Sequence, residues 1–71
     1  MFPSEKEVAM IRSMYPEGSR VRVHFMEDPH PIPYGTEGTV YRVDDAGTIH
    51  VDWDNGRRLG LVYGEDSFEK I

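Results

Sequence analysis

The chain has 71 residues, of which 38% are apolar and 30% charged, with no cysteine and a formal net charge of −5. This length allows one small domain with a limited core, and the lack of cysteine excludes disulfides and thiolate zinc sites. No apolar run approaches the roughly 20 residues that a membrane span needs. The segment Ser4-Glu5-Lys6-Glu7, with three charged residues, argues against a secretory signal. Together these features predict a single soluble, cytoplasmic domain over residues 1–71.

Residues 4–15 are predicted to form an amphipathic helix. Ser4 and Glu7 have the spacing of a capping box, and Pro16 ends the segment. The helical period places three apolar side chains on one face: Val8, Ile11 and Tyr15. Because so short a helix is marginal alone, we expect it to cover one end of a small sheet.

From residue 19 the apolar period changes to two, which predicts strands. The five expected strands lie at residues 19–26, 36–43, 48–53, 58–63 and 68–71. The side chains expected to point inward include Val21, Val23, Phe25 and Trp53. Gly38 is interpreted as a bulge or bend, and Val40 and Val43 cannot both face inward without a bulge. Asn55-Gly56 predicts a hairpin.

The predicted fold is mainly β, a small five-stranded SH3-like barrel at residues 19–71 preceded by the N-terminal helix. Five short strands cannot bury both faces as a flat sheet, whereas a curled barrel can do so and protects its edges. The order of connections also fits, because a long first loop precedes two tight hairpins and a turn precedes the last strand.

Distinctive motifs occur at residues 18–21 (GSRV), Asp28-Pro29, residues 33–40 (PYGTEGTV), residues 43–56 (VDDAGTIHVDWDNG), residues 59–61 (LGL) and residues 64–68 (GEDSF). Over residues 7–71 these motifs resemble those of an uncharacterised family of short bacterial and phage proteins. The resemblance implies a role in phage–host conflict or phage regulation and no defined activity. More distantly, the spacing of Gly and Val resembles the nucleic-acid-binding KOW class of SH3-like barrels, without the basic loops of that class.

The loop at residues 27–35 is the strongest candidate for a functional site. It contains three prolines in five residues, which fix the backbone and lower the entropic cost of binding. We therefore expect a non-enzymatic module that recognises a protein or peptide partner through this loop and adjacent strands. The predicted contact residues are Asp28, His30, Ile32, Tyr34, Arg57 and Arg58. A competing interpretation is that the apolar loop residues only cover the open end of the barrel.

Two alternatives use the arginines of the predicted strands. The first is a phage counter-defence factor that sequesters a small anionic signal at a homo-oligomer interface. The arginines that would line this interface are Arg20, Arg22, Arg42 and Arg58. The second is nucleic-acid contact through the same residues, which the acidic balance of every segment disfavours. The simplest interpretation is that these arginines pair with nearby acids on strand faces.

No catalytic set, metal site or cofactor is predicted. The chain has no cysteine nucleophile, no G-x-S-x-G elbow and no phosphate-binding glycine loop with lysine. The histidines His24, His30 and His50 lack a tight metal-ligand spacing. Asp52 and Asp54 are expected to point outward, with Asp54 capping the Asn-Gly turn rather than binding a cation. Trp53 is expected in the core.

Overall fold

A computed structural model describes residues 3–71; residues 1 and 2, part of the predicted domain, lie outside the described residues. The elements are α1 (Glu5–Met14), β1 (Arg20–Phe25), β2 (Glu37–Val43), β3 (Thr48–Trp53), β4 (Leu61–Val62) and β5 (Ser67–Lys70). The strands form one antiparallel sheet in the order β4-β3-β2-β1-β5. The predicted fold class, mainly β with one N-terminal helix and five strands, is confirmed. No helix among the described residues is long and apolar enough to cross a membrane.

The helix begins and ends where the sequence predicts. Ser4 Oγ accepts a hydrogen bond from the backbone N–H of Glu7 at 3.1 Å, as the N-cap of α1. Val8 and Ile11 are buried on the inner face, and burying each stabilises the fold by about 1.5–3 kcal/mol. Arg12 fixes the other end of α1, since it donates to the Val43 carbonyl and pairs with Asp45 at 2.8 Å.

The sheet is strongly curled, because its two edge strands are joined by only four residues. Strands lie about 4.8 Å apart, so a flat five-stranded sheet would separate its edges by roughly 19 Å. The Val62 carbonyl accepts hydrogen bonds from the N–H groups of Glu65 and Asp66, which coils residues 63–66 into a helical turn. Such a turn advances only about 6 Å. The edges must therefore approach each other, which is consistent with the predicted SH3-like barrel.

The core fills the inside of this curl. Its buried side chains are Ile11, Val21, Val23, Met26, Ile32, Val40, Ile49, Val51, Trp53 and Leu61. The prediction that Trp53 is a core residue is confirmed, since only 2% of it is exposed and its indole N–H donates to the Leu59 carbonyl at 2.9 Å. The expected strand at residues 58–63 is wrong in length: β4 keeps two residues, plus one isolated bridge between Asp52 and Arg58. One reason is that the Leu59 carbonyl is bonded to the indole.

Two β-bulges interrupt the alternation of inward-facing and outward-facing side chains along β1 and β2. The register of β1 against β5 shifts between Val23 and Phe25, and that of β2 against β3 shifts between Val40 and Arg42. Each bulge turns two consecutive side chains outward. The second one supplies the bulge that Val40 and Val43 required.

Two predictions about these strands are wrong. Phe25 is 59% exposed rather than inside, because the β1 bulge turns it outward and Met26 is buried instead. At Gly38 the predicted bulge is wrong, because this residue pairs in regular register with Val21 and Trp53, whereas the alternative of a bend stays a prediction. A Cβ at Gly38 would lie 2.6 Å from Val51 Cγ1, so this position needs glycine for close packing.

Candidate functional site

The loop between β1 and β2 is held at its start and in its middle by side chains from distant parts of the chain. At its start, the N–H of Glu27 donates to Asp66 Oδ1 at 2.9 Å. In its middle, Arg57 donates to the carbonyls of His30 at 2.7 Å and Pro31 at 3.2 Å. Three prolines further restrict the backbone of this loop. The loop is therefore pre-organised.

Ile32 is the inner anchor of the loop. It is only 2% exposed and belongs to the core, and its N–H points at Met26 Sδ at 3.4 Å. The prediction that the loop displays Ile32 to a partner is wrong, because the chain turns this side chain under the loop. For Ile32 the competing interpretation holds: it covers one end of the core.

Tyr34 has the opposite placement. It is 81% exposed, and its ring centroid lies 5.8 Å from that of His24. The backbone on either side is fixed, since the Gly35 N–H donates to the Val23 carbonyl at 2.8 Å and Gly35 has a φ of 83° that favours glycine. The structure therefore presents a large aromatic ring to solvent from a backbone that is held in place.

The β1 bulge adds a second exposed aromatic ring. His24 and Phe25 both point outward, and Phe25 borders a shallow groove. The residues that line this groove, called the proline groove below, are Phe25, Met26, Glu27, Asp28, Pro29 and Pro31. The name loop surface is used below for the exposed side chains of this loop and of the bulge, with the half-buried ring beside Tyr34: Phe25, Pro29, Pro31, Tyr34 and His24. Sequence reasoning missed Phe25 because simple alternation continued Val21 and Val23 into Phe25, and no local signal marks the bulge. His24 was considered there only as a metal ligand.

The structure places the predicted contact residues in three different surroundings. Asp28, His30 and Tyr34 lie on the loop, and Asp28 Oδ1 accepts the His30 N–H at 2.8 Å. Arg57 is exposed and anchors the loop through its bonds to the His30 and Pro31 carbonyls. Arg58 contacts a different part of the sheet, with Nε 3.6 Å from Asp52 Oδ1 and its guanidinium 5.2 Å from the Tyr41 ring centroid.

The proposed anion-binding arginines are not equivalent either. Arg20 pairs with Asp54 at 2.6 Å and Glu37 at 3.5 Å, and Arg22 pairs with Glu37 at 3.0 Å. Arg22 also pairs with Glu69 at 2.7 Å. These contacts raise the pKa of Arg20, chiefly through the hydrogen bond to Asp54.

The same ion pairs act on the acids. The hydrogen bond from Arg20 lowers the pKa of Asp54, so this carboxylate stays charged beside its partner. The prediction that Asp54 caps the Asn-Gly turn is wrong. Both its oxygens accept from Arg20, and Asn55 Oδ1 accepts the N–H of Arg57 instead. Arg42, which the β2 bulge turns outward, is exposed.

The three histidines lie in separate surroundings. His50 Nε2 lies 2.8 Å from Asp44 Oδ2, and His24 Nε2 lies 3.3 Å from Glu69 Oε2. His30 is exposed on the loop. Among residues 3–71, no group of three or more His, Cys, Asp or Glu side chains is arranged to hold a metal ion.

The fold and the loop surface define a small β domain with one rigid, aromatic-rich loop face. The chain belongs to the family described as a domain of unknown function, DUF4314, whose model matches residues 4–71. The prediction of an uncharacterised family is confirmed by this match. Comparison with curated proteins and with solved structures found no match.

Proposed function

We propose that this protein is a non-enzymatic binding module that recognises a protein or peptide partner through the loop surface. The observation that carries the proposal is the placement of Tyr34, which is 81% exposed on a loop anchored by Arg57 and Asp66. An exposed ring provides apolar area that a partner can remove from water, which is favourable. A fixed backbone lowers the entropy lost on binding.

Phe25 strengthens this proposal because it enlarges the apolar area available to a partner. Aromatic residues contribute contact area at a low cost in side-chain entropy, and interface hot spots are rich in tyrosine. His24 precedes Phe25 along the chain, its ring centroid lies 5.8 Å from that of Tyr34, and its imidazole offers a hydrogen-bonding group within an apolar face. The surface thus combines two rings, two prolines and one polar group.

The two alternatives receive less support. Sequestration of an anionic signal and nucleic-acid contact both need unpaired arginines, whereas Arg20 and Arg22 form ion pairs with three carboxylates. The resemblance to short bacterial and phage proteins supports the further proposal that the module acts in the cytoplasm of a bacterium or a phage-infected cell.

Selection from a random peptide library against the immobilised domain tests the proposal. Affinities of the selected peptides for the wild type and for Tyr34→Ala, Phe25→Ala and Tyr41→Ala are then measured by fluorescence anisotropy. We expect Tyr34→Ala to weaken binding at least tenfold, as for an interface hot spot. Tyr41→Ala is the matched control, because Tyr41 is another exposed ring at a bulge and lies near Arg58.

Stability measurements separate binding from folding. Tyr34→Ala should change the free energy of unfolding by less than about 0.5 kcal/mol, because the side chain is so exposed. If no peptide is selected, or if selected peptides bind Tyr34→Ala as tightly as the wild type, the proposed function is wrong.

A further inference from the structure

We infer that the partner segment carries a lysine or arginine next to an apolar side chain, and that the proline groove binds this cationic residue. The inference rests on the proposed function and specifies the class of partner. It depends on three features of the groove: unpaired carboxylates, apolar walls and a fixed backbone.

The first feature is the distribution of ion pairs. Elsewhere on the sheet, the acids already face cations, as Glu37, Asp54 and Glu69 face Arg20 and Arg22. Within residues 3–71, no ion pair includes Glu27 or Asp28, although both line the proline groove. Two negative charges therefore line the groove without a direct ion pair, and the guanidinium of Arg57 on this loop donates instead to the carbonyls of His30 and Pro31.

The second feature is the chemistry of the walls. Phe25, Pro29 and Pro31 supply apolar surface beside the two carboxylates. Lysine and arginine bury their aliphatic stems along such surfaces while their charged heads stay near water or a carboxylate. A guanidinium or ammonium also gains from lying over an aromatic face, and Phe25 is 59% exposed.

The third feature is that Asp28 is held in place. Its Oδ1 accepts the His30 N–H at 2.8 Å, which orients the carboxylate, and Arg57 holds the carbonyl of the same His30. A carboxylate has acceptor sites on both oxygens, so Oδ2 can receive a hydrogen bond from a ligand. The net charge of −5 further favours encounter with a basic segment.

The experiment compares three peptide libraries that differ only at the central position. That position is fixed as Lys or Arg in the first, as Asp or Glu in the second and as Ser or Gln in the third. We expect Tyr34-dependent binders from the first library and at least tenfold weaker ones from the others. The affinity of the peptides from the first library should fall as salt is added, because exposed charge pairs are screened.

A pair of charge variants locates the contact. Glu27→Gln with Asp28→Asn removes both charges and keeps an Oδ1 acceptor for His30, and it should weaken basic peptides about fivefold, as expected for two exposed ion pairs. The control, Glu5→Gln with Glu17→Gln, changes the net charge equally at exposed sites outside the groove and should leave the affinity unchanged.

The outcomes separate this inference from the proposed function. Equally tight, Tyr34-dependent binders from all three libraries would overturn the basic partner class and leave the binding module standing. Basic peptides that bind the groove double variant as well as the wild type would overturn the assignment of the groove. Failure of all three libraries would overturn both proposals.

Discussion

Arg57 offers a sharp test of how the candidate site is built, because the structure gives it a role that its charge alone does not suggest. The sequence placed Arg57 among the groups that contact a partner. In the fold, its guanidinium donates to the carbonyls of His30 at 2.7 Å and Pro31 at 3.2 Å. We therefore expect Arg57→Ala to loosen the loop even when no partner is present.

The expected magnitude follows from these two bonds. A typical hydrogen bond contributes about 0.5–1.5 kcal/mol, and the exposed position of Arg57 favours the low end for each. The variant should lose about 1 kcal/mol of unfolding free energy, which lowers the Tm of a domain this size by about 5 °C. The effect should be concentrated in the loop.

The assay combines thermal denaturation with amide hydrogen exchange. The N–H groups of His30 and Ile32, which bond to Asp28 Oδ1 and Met26 Sδ, should exchange faster in Arg57→Ala. Arg58→Ala is the matched control, since it removes the same charge one residue away without a bond to the loop. Equal Tm values and equal loop exchange in the two variants would refute this reasoning.

Three further predictions concern the sheet and the core. Gly38→Ala should cost about 1–3 kcal/mol in urea denaturation, since its Cβ would meet Val51 Cγ1 at 2.6 Å; a neutral result would contradict the packing. Ile32→Ala should cost about 2–5 kcal/mol because the side chain is buried, and an unchanged Tm would mean that the loop is not part of the core. The pKa of Asp44 is lowered chiefly by the hydrogen bond from His50. The charged carboxylate therefore stabilises the folded protein fully above about pH 3.9, and this contribution is lost as the pH falls through the lower pKa of the folded state. In urea denaturation from neutral to acid pH, the free energy of unfolding should fall less for Asp44→Asn than for the wild type. An identical fall in both proteins would count against this role.

Local signals in the sequence predicted most of the secondary structure. The capping box at Ser4 and the period of Val8 and Ile11 located α1 to within one residue at each end. The alternation around Trp53 located β3, because a half-buried strand must place every second side chain in the core. Such signals need no long-range information, which is why they could be read directly.

The candidate site was predicted only in part. The loop itself and the exposure of Tyr34 followed from the prolines and the polar surroundings of the segment. Phe25 was assigned to the wrong face, since a bulge is a property of two paired strands and leaves no mark in one of them. Ile32 was assigned to the surface because sequence alone does not say which loop residue lies over the core.

By itself, the sequence determined the helix, the strands, the rigid loop and the acidic balance of the chain, because each depends on residues close together along it. The tertiary structure decided the strand register, the burial of Ile32, the anchoring of the loop by Arg57 and the neutralisation of Arg20. Several of these features join residues far apart along the chain, as Arg57 and Pro31 are, 26 positions from each other. They depend on how the curled sheet brings its strands together, and no local pattern encodes that arrangement.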